Sequence, residues 1–454
     1  MDSLSQSGVR DLADFVVGLD AKALPERATR FAVDAMIDCL GCILAGAGEA
    51  LAPMLRKVVP ATAEGVPLIG TKLVSAPVEA ALYNGTLAHA LDFDDITHPA
   101  YSHPTAVLLP TIISLARHGK VTGREAVAAY VIGVEVFGKL GRALNTQHYR
   151  RGWHATATFG SIATAAAGAR LLGLDVKQTR AAIGIGASGA SGLRANFGTM
   201  TKPLHCGYAA RNGVLAALLA AEGFTATDNV IDADFGFAKA FNGGIPIVWD
   251  ELHRWGDELE IVSEFGLALK PYPSCGATHP SIEAALLLRQ DIGGKHEQVE
   301  SVRVGIPEMA FQPLIYVEPK SPLQGKFSMH YVVAAALADG AVNLGTFTDA
   351  KVADPTIGAL LRRVTMEADQ RVADNSEFGC VLSLKTKDGR SFERSVPLAI
   401  GKPDRWFSRS QLETKFKDCA GLALPAERVG KVFDRWLALA EAPAVADLLD
   451  DLRV

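Results

Sequence analysis

The chain has 454 residues, with 45 basic and 50 acidic side chains and a formal net charge of −5. This length allows two or three domains with substantial hydrophobic cores. Hydrophobic residues make up 49% and charged residues 21%, a balance typical of folded globular proteins that excludes a disordered chain. The chain has no cationic surplus for a nucleic acid or an anionic membrane, so we expect neither partner.

The sequence also indicates the cellular compartment in which the protein is expected. No apolar run reaches the roughly 18 residues that a membrane span requires. Residues 1–5 lack the basic leader of a secretory signal, and the six scattered cysteines favour reduced thiols over a disulfide framework. We therefore predict a cytoplasmic protein.

The first predicted elements in chain order are helices with small-residue faces. Residues 125–144 place apolar side chains at helical spacings, and we expect Glu135 and Lys139 to face solvent. Residues 161–172 and 207–222 are predicted to form two further helices, and each is followed directly by a glycine, Gly173 or Gly223. The abundance of alanine and glycine would let these helices pack closely.

The pattern changes after about residue 266. Residues 302–306 alternate apolar and polar side chains, which predicts a strand, and two extended runs flank the Asp-Gly turn at residues 388–389, which favours a hairpin. Helical patterns occupy residues 280–290 and 329–339 and return from residue 408. We predict a mainly α fold with an α+β second domain, divided into a helical domain (residues 1–265), an α+β domain (266–405) and helices returning to the first domain (406–454).

The densest polar cluster spans residues 89–103. It contains three carboxylates and three histidines: Asp92, Asp94, Asp95, His89, His98 and His103. Such a cluster could bind a divalent metal, conduct acid–base chemistry or cap the helix that begins near Pro104. The apolar flanks indicate that the loop is partly buried. Metal binding is disfavoured because no HExxH or cysteine-rich ligand pattern accompanies the cluster.

Two other motifs are interpreted as structural. Cys39 and Cys42 have the CxxC spacing of redox and zinc sites, but they lie in an apolar helical run without a second pair, which favours buried thiols. Residues 184–189 contain the letters of a GxGxxG dinucleotide loop. They follow a helical segment rather than a strand, so we do not expect nucleotide binding.

A glycine-rich stretch from Ser191 brings Arg194, Lys202 and His205 in front of another helix. Arginine and lysine are suitable counterions for a substrate with several carboxylates. A basic surface loop is the alternative interpretation.

A second group of reactive side chains lies at the predicted change of domain: Lys270, Tyr272, Cys275 and His279. A thiolate can remove a carbon-bound proton when nearby cations lower its pKa, although Cys275 could equally be a small buried residue. His154 opens a helix, and Tyr331 follows a Lys-Phe-Ser segment. Ordinary packing at a helix start explains either one taken alone.

Together these segments resemble the MmgE/PrpD family over almost the whole chain. The motifs that carry the resemblance are Asn84-Gly85 to Asp95, His103-Pro104, Gly152-Trp153-His154, Phe197 to His205, Lys270 to Pro273 and Lys326-Phe327-Ser328. The resemblance implies a large helical domain built from both chain ends, a smaller inserted α+β lid domain, and a homodimer.

The resemblance also implies site residues. It assigns catalytic roles to Asp94, His103, His154, Lys202, Lys270 and Tyr331, with Asp92 less securely assigned. Decarboxylase-like members of the family carry histidine at the position of Cys275, which is a departure in this chain. His279 matches a second family histidine.

From these residues we predict a cofactor-independent epimerase of an imino- or amino-dicarboxylate, of the iminodisuccinate type, that acts by proton abstraction next to a carboxylate. Cys275 is a candidate second base, and the expected substrate-binding residues are Arg194, His205, Tyr272, His279 and His98; no metal is expected. The runner-up is a dehydratase of 2-methylcitrate or a related hydroxy polycarboxylate. A cis-aconitate decarboxylase ranks below it, and a noncatalytic carboxylate-binding protein is the remote alternative.

Overall fold

The computed structural model describes residues 8–118, 120–373 and 379–453. The chain divides into unit 1, which comprises Met1–Leu269 with Phe407–Val454, and unit 2, which comprises Lys270–Trp406. The prediction that no secretory leader is present concerns residues 1–5, which lie outside the described residues. The structure is mainly helical with an α+β portion, so the predicted fold class is confirmed.

Unit 1 is built mostly from helices. Those before unit 2 are α1 (Gly8–Gly18), α2 (Glu26–Gly46), α3 (Leu51–Val58), α4 (Pro77–Ala88), α5 (Thr105–Leu115), α6 (Gly123–Arg150), α7 (Ala155–Leu171), α8 (Val176–Ser188), α9 (Thr201–Ala221) and α10 (Phe237–Asn242). Two short antiparallel pairs join β1 (Val66–Pro67) to β2 (Val74–Ser75) and β3 (Ile96–Thr97) to β4 (Leu267–Ala268). The predicted helices at 125–144, 161–172 and 207–222 correspond to α6, α7 and α9.

Small residues let α9 approach α4 and α7 closely. A Cβ atom added at Gly207 would lie 2.4 Å from the carbonyl oxygen of Leu82 on α4, and one added at Gly213 would lie 2.0 Å from Thr164 Oγ1 on α7. Neither clash could be relieved without moving a helix, because both neighbours belong to packed helix interiors. Gly207 therefore lets α9 lie close to α4, and Gly213 lets it lie close to α7.

Unit 2 combines helices with one four-stranded sheet. Its helices are α11 (His279–Asp291), α12 (Pro322–Gly325), α13 (Met329–Asp339), α14 (Asp349–Val352), α15 (Pro355–Leu361) and α16 (Gln370–Ala373), and its strands are β5 (Val299–Ile306), β6 (Val364–Ala368), β7 (Cys380–Thr386) and β8 (Ser391–Val396). The strand order is β6-β5-β7-β8; β5 and β6 are parallel, and the other neighbours are antiparallel. The predicted hairpin is the β7–β8 pair.

The alternation of buried and exposed side chains along the strands shows which face of this sheet the helices cover. Val302, Val304 and Leu382 are buried in one hydrophobic core with side chains of α11 and α13. Successive side chains of a strand point to opposite faces, so this alternation places the helices on one face of the sheet.

The chain ends in α17 (Arg409–Ala420), α18 (Ala426–Leu437) and α19 (Ala446–Leu449), which belong to unit 1. A buried ion pair holds α17 against α2. Lys415 Nζ lies 2.7 Å from Asp38 Oδ1, and it also donates to the carbonyl oxygen of Phe93, 2.7 Å away. Its side chain is only 6% exposed, so the ammonium exchanges water for these protein oxygens.

The predicted exposure of Glu135 and Lys139 on α6 is wrong. Both are buried, at 1% and 4% exposure. The Glu135 carboxylate accepts hydrogen bonds from the backbone amides of Gly256 and Glu260, and Lys139 Nζ lies 3.3 Å from Glu260 Oε1. A segment more than a hundred residues further along the chain thus covers this face of α6, and helical periodicity carries no information about such a contact.

The motifs interpreted as structural are part of helices. Residues 184–188 of the GxGxxG letters lie inside α8, so no strand-to-helix phosphate loop forms there. Cys39 and Cys42 are fully buried in α2, and burial raises the pKa of both thiols. Within the described ranges, no single helix is long and apolar enough to cross a bilayer; α2 and α3 meet that criterion only jointly, as a pair bent by 86°.

His148, near the C-terminal end of α6, packs against aromatic side chains. The ring of His148 lies 4.5 Å from that of Phe159 and 5.8 Å from that of Phe241, measured between centroids, and Nε2 is 2.7 Å from Thr158 Oγ1. Burial lowers the pKa of His148 to about 3. The folded protein therefore holds this ring in its neutral form.

Replacing the buried ammonium should destabilise unit 1. We expect Lys415→Met to lower the free energy of unfolding by about 3–5 kcal/mol, because Asp38 would remain buried without its partner. The double variant Asp38→Asn/Lys415→Met should recover part of the loss, since it buries no charge. Urea unfolding followed by circular dichroism measures both, and a double variant less stable than Lys415→Met would contradict this account.

His148 should make the protein acid-sensitive. The unfolded chain binds this proton with a pKa of about 6.5, well above the folded value of about 3, so protonation favours unfolding. This contribution to stability is complete above about pH 6.5 and declines as the pH falls, by up to about 1.4 kcal/mol per pH unit. Urea unfolding of wild type and His148→Met between these limits should show a shallower pH dependence for the variant. His253→Gln, at the surface, is the control; equal slopes in all three proteins would refute the assignment.

Candidate active site

A loop of buried polar residues joins α4 to α5. Its charged and imidazole side chains are each at most 9% exposed: His89, Asp92, Asp94, Asp95, His98 and His103. The predicted burial of this loop is therefore confirmed. Asp92 has a φ of +52°, a left-handed conformation that costs free energy for a residue other than glycine and is often found at functional sites.

His89 and Asp94 form a buried pair in this loop. His89 Nδ1 lies 2.7 Å from Asp94 Oδ1, and both side chains are fully inaccessible. A carboxylate only accepts, so Nδ1 carries the proton and Nε2 offers an electron pair. Burial lowers the pKa of His89 although Asp94 opposes that effect. His89 Nε2 is buried without a hydrogen-bond partner among the described residues.

His103 is oriented by the same loop. Its Nδ1 donates to the backbone carbonyl of Asp95 at 2.8 Å and lies 3.4 Å from Asp94 Oδ2. Its backbone amide donates to Thr156 Oγ1 on α7 at 3.1 Å. Because a carbonyl oxygen only accepts, the neutral ring carries its proton on Nδ1 and has an electron pair on Nε2.

The Asp95 carboxyl makes its hydrogen bonds to Thr105. Its oxygens accept from the backbone amide of Thr105 at 3.1 Å and from Thr105 Oγ1 at 2.5 Å, and Thr105 Oγ1 is in turn 2.5 Å from the Tyr130 hydroxyl. Burial, and then the neighbouring Asp94, raise the pKa of Asp95 to about 8. Asp95 therefore anchors the loop to the start of α5, and its surroundings favour the protonated form of its carboxyl.

Two more histidines reach this region from α7 and α9. His154, the residue before α7, places Nδ1 3.0 Å from Nδ1 of His205 in the first turns of α9. Burial and then Lys202 lower the pKa of His154, while burial lowers that of His205 to about 4. Two nitrogens at this distance share one proton, so neutral rings are consistent with the contact.

Lys202 is the cation of the site. Its Nζ lies 3.0 Å from Asp92 Oδ2 and 5.1 Å from the centroid of the Phe197 ring, and the residue is 5% exposed. The ion pair joins the start of α9 to the left-handed residue of the loop. Water is largely excluded around this ammonium, so the local dielectric constant is low. A low dielectric constant strengthens the attraction between the ammonium and a substrate anion.

The structure shows the contacts of two further predicted residues, Arg194 and His98. The Arg194 guanidinium stacks 3.6 Å above the Tyr149 ring and donates to the Tyr149 carbonyl at 2.7 Å. The backbone amide of His98 donates to the carbonyl of Phe265 at 3.4 Å, next to the β3–β4 pair. Their predicted role in substrate binding stays a prediction.

The remaining predicted residues lie in unit 2. The rings of Tyr272 and His279 meet edge to face at 5.6 Å, and His279 Nε2 is 3.1 Å from the carbonyl of Ser274. Lys270 is 1% exposed, and the half-buried Cys275 donates its backbone amide to the carbonyl of Lys326 at 3.0 Å.

Tyr331 is also in unit 2. Its hydroxyl donates to the backbone carbonyl of Thr346 at 2.5 Å, and burial raises its pKa above the ordinary value. Its proton is therefore engaged with the main chain in this conformation.

The structure brings into the site one residue that had no predicted role. His89 belongs to the polar cluster, but its five-residue separation from Asp94 matches neither the helical nor the strand period. Only the loop conformation shows that the two side chains pair. His89, His103 and His154 each offer a ligand atom within 4.8 Å of the others, as do His89, Asp92, Asp94 and His103. Both sets could hold a metal ion.

Comparisons with known proteins identify similar enzymes. The chain is 29% identical to cis-aconitate decarboxylase of Homo sapiens over 367 residues, covering 78% of this chain and 74% of that protein. It is 28% identical to cis-aconitate decarboxylase of Aspergillus terreus over 491 aligned positions, with coverage of 99% and 96%. Identity to 2-methylcitrate dehydratase of Escherichia coli (strain K12) is 24%, with coverage of 85% and 84%.

These relatives overturn the predicted reaction. They are named as a decarboxylase and a dehydratase, so the prediction of an iminodisuccinate epimerase is wrong and the lyase alternative fits better. The error has a chemical reason. All three reactions develop negative charge next to a carboxylate, so lysine, histidine and aspartate in these positions do not distinguish among them.

Family models match most of the chain. Residues 10–249 match the MmgE/PrpD N-terminal domain, and residues 272–439 match the MmgE/PrpD C-terminal domain. The matches together include the buried loop, Lys202 and the sheet of unit 2. The chain is an enzyme that belongs to the MmgE/PrpD family.

Proposed function

We propose that the chain is a lyase that acts on a tricarboxylate, with decarboxylation of cis-aconitate as the first candidate reaction. The observation that carries the proposal is the burial of one ammonium, Lys202, among histidines that burial keeps neutral. Such a site offers a fixed positive charge for a substrate carboxylate together with imidazoles that can transfer a proton. The similarity to decarboxylases over nearly the full chain supports the same substrate class.

The chemistry of decarboxylation requires both parts. When the bond to a carboxylate carbon breaks, carbon dioxide leaves and its bonding electron pair stays on the substrate. In cis-aconitate this pair shifts through the double bond towards the carbon beside another carboxylate. A cation near that carboxylate stabilises the developing charge, and a general acid then delivers one proton to that carbon. The product is an unsaturated dicarboxylate.

The residues of unit 1 can be given roles in this scheme. Lys202 binds the substrate carboxylate towards which charge moves, and Asp92 holds the ammonium in place. His103 and His154 are the candidates for proton transfer. Asp94 acts through His89, because it fixes which nitrogen of that ring carries the proton.

The roles predicted for unit 2 remain part of the proposal. Lys270, Cys275 and Tyr331 stay candidate catalytic residues, and Tyr272 and His279 stay candidate substrate-binding residues, as does His205 in unit 1. A homodimer that needs no organic cofactor also remains a prediction.

Dehydration of 2-methylcitrate is the second candidate. The observation that supports it is Cys275, at the position where the resemblance implies a histidine in decarboxylase-like members. This reaction removes a proton beside a carboxylate and expels a hydroxyl group, which an acid must protonate. The same lysine and histidines would serve it.

Proton NMR in deuterium oxide distinguishes the two candidates. With cis-aconitate we expect loss of one carboxyl as carbon dioxide and an unsaturated five-carbon dicarboxylate that carries deuterium at the newly protonated carbon. An alkene from 2-methylcitrate, with cis-aconitate unchanged, would instead establish the dehydratase. Heat-denatured protein is the control for uncatalysed reaction. A folded protein that converts neither compound would refute the proposed function.

Removing the buried cation should abolish most of the activity. We expect Lys202→Met to lower kcat/KM by about 10²–10³-fold, the usual effect of removing one charge-stabilising group, while Lys239→Met at the surface stays at the wild-type value. Initial rates with the converted substrate measure the effect, and circular dichroism establishes that each variant is folded. A folded Lys202→Met protein with normal turnover would show that this ammonium is not in the active site.

A further inference from the structure

We propose that His89, His103 and His154 form a binding site for Zn²⁺, and that the bound ion inhibits the enzyme. This second part rests on the proposed function, whereas the binding site does not. Each of the three histidines offers a ligand atom within 4.8 Å of the other two. Three imidazoles with a fourth position open to water or to an anion are a recurrent zinc coordination set.

The unpaired nitrogens of the cluster point to a ligand. His89 Nε2 and His154 Nε2 are both buried without a hydrogen-bond partner within the described part of the chain. The two residues are each 1% exposed. A buried polar atom that lacks a partner loses the free energy of its hydrogen bond to water, so such atoms usually face a bound water, ion or ligand.

The Nδ1 atoms of the three rings all have hydrogen-bond partners. His89 Nδ1 donates to Asp94, His103 Nδ1 donates to the Asp95 carbonyl, and His154 Nδ1 contacts His205. Ligating imidazoles in metalloproteins generally use one nitrogen for the metal and donate the other N–H to a carboxylate or carbonyl. His89 and His103 follow this arrangement, because each donates its Nδ1–H to a carboxylate or carbonyl oxygen, whereas His154 Nδ1 contacts another imidazole.

The distances and charges also suit a divalent cation. Zinc–nitrogen bonds of about 2.0–2.1 Å place two ligand atoms at most about 4.2 Å apart, so small side-chain rotations complete the set. Asp92 offsets the Lys202 ammonium at 3.0 Å, and Asp94 places a further acidic group beside two of the rings. The oxygen-preferring ions Mg²⁺ and Ca²⁺ suit three imidazoles poorly.

Occupation of the site would stop the proposed reaction. The ion takes the imidazole electron pairs of His103 and His154, which the proposed function uses for proton transfer. Its open position would also compete with Lys202 for a substrate carboxylate. Free zinc would therefore act as a reversible inhibitor that a chelator removes.

Calorimetry tests the site without substrate. The full chain is treated with EDTA, freed of chelator and titrated with zinc chloride. We expect one ion per chain with a dissociation constant of about a micromolar or less. His103→Gln and His154→Gln should each weaken binding more than about 10-fold, and Asp94→Asn, which removes the orienting carboxylate of His89, by about 10–100-fold. His253→Gln removes a surface imidazole and should leave the affinity unchanged.

Cobalt provides a readout that needs no variant. Co²⁺ in a four-coordinate histidine site gives intense visible absorption, whereas the octahedral ion is nearly colourless. We expect the intense bands on titration of the wild-type protein and their loss when zinc is added. Weak octahedral bands, no saturable zinc binding, or an equal loss of affinity in His253→Gln would each overturn the proposal.

The inhibition is measured separately. Turnover of the substrate identified by NMR should fall as zinc is added and return with EDTA, and full activity at zinc concentrations that saturate the calorimetric site would refute inhibition. If the protein converts neither tricarboxylate, the proposed function fails while calorimetry and the cobalt spectrum still decide whether the metal site exists.

Discussion

The ammonium of Lys415 joins three parts of unit 1 that are far apart in the sequence. It pairs with Asp38 on α2, it donates to the carbonyl of Phe93 in the polar loop, and it lies on α17 near the C-terminus. A buried cation is stable only while its oxygen partners stay in place, so the pair fixes all three segments together. Phe93 lies between Asp92 and Asp94, and the interaction therefore positions the backbone from which the site carboxylates extend.

Burial then sets the protonation states on which the chemistry depends. Exclusion of water lowers the pKa values of His89 and His154 and raises that of Asp95 to about 8, although all three lie within one small region. Neutral imidazoles beside an ammonium can accept and return protons while the cation holds an anionic substrate. The same neutral rings are the form that binds metals, so the proposed reaction and the proposed inhibition draw on one set of nitrogens.

The similarity to decarboxylases and a dehydratase places the chain among enzymes that differ in the bond they break. In the proposed function, the side chains of the loop and of α9 supply what these reactions have in common, which is stabilisation of charge beside a carboxylate and transfer of a proton. Residue types that serve all of these reactions do not identify the bond that breaks, which is why the sequence led to a wrong reaction within the right family.

Several elements and the family could be predicted from the amino-acid sequence. Helical periodicity located α6, α7 and α9, the Asp-Gly turn located the β7–β8 hairpin, and the ordered motifs identified the MmgE/PrpD family. The burial of Glu135, the pairing of His89 with Asp94 and the convergence of three histidines became visible only in the folded chain. Local patterns report which face of an element is apolar, whereas these contacts join segments whose separation follows no local period, and only the packed chain defines them.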